Sequence, residues 1–173
     1  MKIQAVLFDM GGTIETFSYT HALRRNAAAG LHQRMLQAGI DLHIGEEVLF
    51  ERITQGLQRY KRWSIQSMEE LPPQRVWKEY ILTGLDYDPA VLDGVAEELT
   101  FLIETQFYDR RLRSEIPEVL AAIRHMGLKI GLISNVNSRS QVPFNLKAYG
   151  IFYYFDPIVL SSEYGRRKPD PAI

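Results

Sequence analysis

Hydrophobic positions along the chain follow two rhythms. Near the start and in the last third they form short, mostly apolar runs, at residues 5–8, 128–133 and 157–160, and a polar or acidic residue follows each run. Between Thr13 and about Asp109 they recur every three or four residues, the spacing that lays one apolar stripe along a helix. That stretch predicts four helices. The first covers 20–37, with Leu23, Ala27, Leu31 and Met35 at four-residue steps and Gly39 as a stop. The second covers 45–63 and gathers Val48, Leu49, Ile53, Leu57 and Tyr60 on one face. A third follows Pro72-Pro73 over 74–82 and ends near Gly84. In the fourth, Asp88 can cap, Pro89 sits in the first turn, and Val91, Leu92, Val95, Leu99, Leu102 and Ile103 form the stripe. From Ser114, a possible cap, helices and strands alternate: a helix burying Val119, Leu120 and Ile123 and stopped by Gly127, a strand over 128–133, a helix over 142–148, and a strand over 157–160. This β-α-β order implies parallel strands, and continuous apolar runs imply a sheet covered on both faces. The fold class expected is α/β, with a helical insertion.

Candidate chemistry lies where these strands end. The first run delivers Asp9 into Gly-rich backbone, Met10-Gly11-Gly12-Thr13. A carboxylate at the end of a buried strand is costly without partners or a ligand, and strand carboxyl ends are where open α/β sheets bind ligands. The second run ends in Ser134-Asn135; the third leads into Ser161-Ser162 and then Arg166-Arg167-Lys168-Pro169. Together they offer an acid, a hydroxyl and an ammonium, and amides of the Gly-rich turn could add to an oxyanion cradle. Each signal has a plainer reading: Asp9 as a turn or capping acid, Ser134-Asn135 as turn chemistry, Lys168 as part of a solvated basic run. Order along the chain favours the functional reading.

Composition narrows the classes. The 173 residues, 46% hydrophobic and 24% charged, suffice for one core or for a domain plus an insertion. A net charge of −1 gives no overall attraction to nucleic acid or an anionic membrane, so no nucleic-acid partner is expected. No window approaches the ~18 apolar residues of a spanning helix, and the amino terminus has no signal-type pattern; a soluble, cytoplasmic protein without a membrane partner is expected. The absence of cysteine excludes disulfides, thiolate metal sites and a cysteine nucleophile. His21, His32, His43 and His125 lack ligand spacing. Trp63, Trp77, Tyr80, Phe101 and Phe107 are assigned to the core of the insertion.

The segments Phe8-Asp9-Met10-Gly11-Gly12-Thr13, Gly131-Leu132-Ile133-Ser134-Asn135 and Asp156 to Glu163 leading into Lys168-Pro169-Asp170-Pro171 resemble, in order and spacing, the haloacid dehalogenase-like (HAD) hydrolases that carry a helical cap. The resemblance spans nearly the whole chain. It implies a Rossmann-like core over residues 1–14 and 111–173 and an all-helical cap over 15–110. It also implies a Mg²⁺-dependent phosphatase of a small phosphorylated metabolite. Asp9 would be the nucleophile that forms an aspartyl-phosphate, with Ser134 and Lys168 as catalytic partners. Gly11, Gly12, Thr13 and Asn135 would contact substrate, and the Asp9 carboxylate with the Gly11 carbonyl would hold Mg²⁺.

The chain departs from the family pattern at two places. Gly11 stands where phosphatases of the family carry a second Asp as general acid and base, a group worth ~10²–10⁴-fold. Dehalogenase or phosphonatase-type chemistry stays open; Lys61 and Lys78 are available for the latter, outside any recognisable context. The resemblance also implies a further helix, strand and acidic metal-binding motif after Ile173, so the core is expected to be incomplete and activity poor in this chain alone. A non-catalytic phosphate-binding module and an inactive fragment are the alternatives to an enzyme. Substrate identity and oligomeric state are not readable from the sequence.

Overall fold

A computed structural model describes residues 3–173. In chain order its main elements are β1 (Ala5–Phe8), β2 (Glu15–Ser18), α1 (His21–Gln37), α2 (Glu46–Ser67), α3 (Pro73–Val76), α4 (Pro89–Gln106), β3 (Asp109–Leu112), α5 (Ile116–His125), β4 (Lys129–Ser134), α6 (Gln141–Ala148), β5 (Ile158–Leu160) and α7 (Ser161–Tyr164). The fold is α/β. Strands β1, β4 and β5 form a parallel sheet in the order β1-β4-β5, with Phe8 opposite Leu132 and Ser134 opposite Leu160. This register brings the carboxyl ends of all three strands to one rim, where the candidate residues sit. No helix among the described residues is long and apolar enough to cross a membrane.

Two hydrophobic cores form. The sheet core gathers Met10, Ile14, Leu120, Leu132, Val142, Leu146 and Leu160. Burial of Met10 and Ile14 holds both sides of the Gly-rich turn against the sheet. The helical core gathers Leu31, Met35, Leu49, Ile53, Trp77, Leu92, Leu99 and Ile103 from α1, α2 and α4, together with the turn after α3. Trp77 is fully buried and donates its indole N–H to Thr100 Oγ1 at 2.9 Å. Phe107 joins this core, and Trp63 and Tyr80 pack against it. Phe101 instead meets Phe144 of α6 edge to face, at 5.1 Å between centroids.

Local signals explain most boundaries. Thr20 caps α1 through a 3.0 Å bond from Leu23 N–H, and Asp88 caps α4 through a 2.8 Å bond from Ala90 N–H. The structure corrects four expectations. The helix expected over 74–82 is α3 followed by a π-helical turn, Trp77–Ile81. Beside that turn, a Cβ on Gly56 of α2 would lie 2.6 Å from the Tyr80 carbonyl oxygen, so only glycine permits this approach. Ser114 does not cap α5; Glu115 holds the N-cap position without a side-chain bond. The stretch 15–110 is not helical throughout, because β2 and β3 pair antiparallel at its two ends, with Glu15 opposite Leu112. Finally, β1 is not covered on both faces: it lies at the sheet edge among the described residues, and Leu7 is 64% exposed.

Candidate active site

The rim above the sheet brings Asp9, Ser134 and Lys168 into one cavity of about 310 Å³, shared with Gly11 and Asn135. Asp9 follows β1, Ser134 ends β4, and Lys168 arrives on the segment after α7. The Lys168 ammonium donates to Asp9 Oδ1 and to the Ile133 carbonyl, each at 2.7 Å. Only one Asp9 oxygen is engaged this way, and the Asp9 side chain is 43% exposed. Ser134 is buried.

Asn135 faces the cavity but commits its amide elsewhere. Its Oδ1 accepts from the Lys168 backbone N–H at 2.8 Å, and its Nδ2 donates to the Lys168 carbonyl at 3.0 Å. This reciprocal pair fixes the backbone that carries the ammonium.

The Gly-rich turn divides. Gly11 lines the cavity, whereas Gly12 and Thr13 do not. Their N–H groups close the turn itself: Gly12 donates to the Glu15 carbonyl at 2.7 Å and Thr13 to the Met10 carbonyl at 3.3 Å. Gly12 has a φ of +83°, a left-handed conformation that suits glycine.

The opposite wall carries Lys61 from α2, the lysine the sequence offers without a recognisable context, and Glu104 from α4, Tyr108, Arg110 and Gln141 at the start of α6, which the sequence does not single out. Gln141 is 2% exposed, yet its Nε2 has no hydrogen-bond partner. An orphaned buried donor is costly, and an acceptor on a bound ligand would relieve it. Lys61 and Lys168 line the cavity with Asp9, and Arg110 lines it with Glu104, so two ammonium groups and the Gln141 amide face the space where an anionic ligand would sit. An adjoining cavity of about 250 Å³ shares Lys61, Glu104 and Tyr108 and extends toward Trp77 and Thr100.

Two buried carboxylates organise the surroundings. Glu15 is fully buried and accepts from Arg110 at 2.5 Å, Asn145 at 2.9 Å and Tyr149 at 2.9 Å. Arg110 also donates to Glu104 at 2.9 Å. Loss of solvation pushes the Glu104 carboxyl above the usual glutamate range, against the lowering pull of Arg110. Glu70, from the segment between α2 and α3, accepts from Ser161 at 2.6 Å and also from Tyr60 and Arg167. Burial raises its carboxyl too, opposed by Arg167 and the two hydroxyls. The only sequence hint of Glu104 is its spacing: it lies four residues after the buried Thr100, on the edge of the α4 stripe.

Asp9 and the Gly11 carbonyl offer hard oxygen donors of the kind Mg²⁺ takes, a partial set to which waters and a substrate phosphate would add. Among the described residues, no group of three or more His, Cys, Asp or Glu side chains converges as a metal centre.

Over 172 residues the chain is 27% identical to a Methanopyrus kandleri protein named glyceraldehyde 3-phosphate phosphatase, covering 99% of this chain and 67% of the relative. A crystal structure described as a HAD phosphatase from Thermococcus onnurineus matches with a TM-score of 0.56 and 20% identity, covering 98% of this chain and 67% of that one. That second likeness is one of fold. The family of haloacid dehalogenase-like hydrolases matches residues 3–173, and the chain belongs to it.

Proposed function

We propose that the protein hydrolyses a small phosphorylated metabolite through a covalent intermediate on Asp9. The observation that carries this reading is the half-exposed Asp9 carboxylate, bonded on one oxygen to Lys168, in a cavity lined mostly by cations and donors. Asp9 would attack phosphorus and expel the alcohol, and water would then cleave the acyl-phosphate. Lys168 would offset charge on Asp9 and on the phosphoryl oxygens. Ser134 and the unpaired Gln141 amide would donate to those oxygens, while Asn135 would act on Lys168 rather than on substrate. Mg²⁺ held by Asp9 and the Gly11 carbonyl would add stabilisation of the transferring group's negative charge.

The Methanopyrus kandleri relative's name supports a phosphorylated substrate such as glyceraldehyde 3-phosphate, which the cavity of about 310 Å³ can hold. The helices over 15–110 would serve as the cap that closes on it. The test is phosphate release from glyceraldehyde 3-phosphate with Mg²⁺ by the parent and by Asp9→Asn. The amide is isosteric and cannot attack, so the rate should fall by ~10³-fold or more. Equal rates would overturn the nucleophile assignment. Tight binding of the phosphorylated ligand without turnover by the parent would favour a regulatory module, the reading that Gly11 invites.

A further inference from the structure

Gly11 supplies no side chain beside Asp9, so a proton donor for the leaving group must come from elsewhere in the cavity. We propose that Glu104, on the opposite wall, is the general acid and then the general base of the reaction; the inference rests on Asp9 being the nucleophile. Glu104 shares the cavity with Asp9, Ser134 and Lys168, and it lies on α4, an element rigidly packed through Leu99, Thr100 and Ile103.

The charges around Glu104 suit the part. Arg110 on β3 donates to its Oε2 at 2.9 Å. Glu70 and Glu15 act on it as like charges, and Lys61, Tyr108, Asp9 and Lys168 line the space before it. Burial outweighs the pull of Arg110, so the carboxyl keeps its proton to higher pH than an exposed glutamate. Its partner Arg110 is itself held by the buried Glu15, which orients the whole group.

The step balances as follows. The Asp9 carboxylate forms the new P–O bond while the P–O bond to the substrate alcohol breaks, and the Glu104 carboxyl gives its proton to the departing oxygen. The alcohol leaves. Glu104, now ionised, takes a proton from the water that attacks the aspartyl-phosphate, releasing inorganic phosphate and restoring both carboxyl groups to their starting states.

The experiment compares glyceraldehyde 3-phosphate, whose alkoxide needs a proton, with p-nitrophenyl phosphate, whose phenolate does not. In Glu104→Gln, kcat for the alkyl ester should fall ~10²–10⁴-fold, while the nitrophenolate burst should persist at the parent's amplitude with slow turnover after it. The burst also reports a folded site. An alkyl rate equal to the parent's, or an equal slowing of the burst, overturns the inference. Should Glu104→Gln not fold, the parent decides: alkyl cleavage should decline as pH rises through the Glu104 titration while the nitrophenolate burst holds, and parallel profiles would sink it. Asp9→Asn separates the two readings. Its loss of activity beside an unaffected Glu104→Gln removes only the acid–base role, whereas an active Asp9→Asn, or a parent that releases no phosphate, removes both.

Discussion

Asn135 spends both ends of its amide on the backbone of one residue, Lys168, across 33 positions of chain. Removing it frees two partly buried backbone groups and the segment holding the ammonium. Asn135→Ala should therefore cost ~1–3 kcal/mol in denaturant unfolding and lower kcat more than it raises KM, because charge placement suffers rather than substrate contact. The side chains on the sheet rim were legible in the sequence because each follows an apolar run: Asp9 after residues 5–8, Ser134 after 128–133, and Lys168 shortly after 157–160. Their surroundings were not. Asn135 reads as a substrate contact until the chain returns beside it. Gly12 and Thr13 read as cradle residues until their amides are seen to close their own turn. Glu104, Arg110 and Gln141 reach the cavity from positions whose local pattern is that of an ordinary helix edge, a short strand and a helix start.

Among the elements, helix α2 and the π-helical turn at Trp77–Ile81 approach most closely at one small residue, Gly56, with Tyr60 and Trp63 packing on Tyr80 beside it. Gly56→Ala would drive a methyl group against the Tyr80 carbonyl oxygen at 2.6 Å and against Ile81. Overpacking there should outweigh the gain in helix propensity and destabilise the protein by ~1–3 kcal/mol, measured as a lower urea midpoint with an unchanged slope. Periodicity revealed α1, α2 and α4 because each buries residues at three- or four-residue steps: Ala28, Leu31 and Met35 in α1, Leu49, Ile53, Gly56 and Tyr60 in α2, and Leu92, Ala96, Leu99 and Ile103 in α4. The β-α-β order revealed the parallel sheet. The β2–β3 pair escaped notice because each strand is four residues long and Glu15 finds Leu112 nearly a hundred residues away. The π turn has the same apolar spacing as an α-helical one over so few residues, so only the backbone distinguishes it.

Across the whole molecule, the helical layer and the sheet layer meet at the Phe101–Phe144 contact and at several polar junctions. Glu97 on α4 accepts from the Ser138 hydroxyl at 2.8 Å and the Ser140 N–H at 3.1 Å. The chain after α2 runs against the chain before Lys168: Glu70 N–H donates to the Gly165 carbonyl at 3.0 Å and Arg167 N–H to the Met68 carbonyl at 2.9 Å. Glu70 locks this seam from inside by accepting from Tyr60, Ser161 and Arg167. Glu70→Ala would strand a part-buried guanidinium and two hydroxyls; it should cost ~2–4 kcal/mol, read from the urea midpoint. The seam at 68–70 and 165–167 ends one residue short of Lys168. On the function proposed above, lifting the helices far enough to part those segments would slacken the tether of the amine that pairs with Asp9, so the site would be disarmed whenever it gapes and rearmed as it shuts, sparing Asp9 from wasteful encounters while ligands exchange.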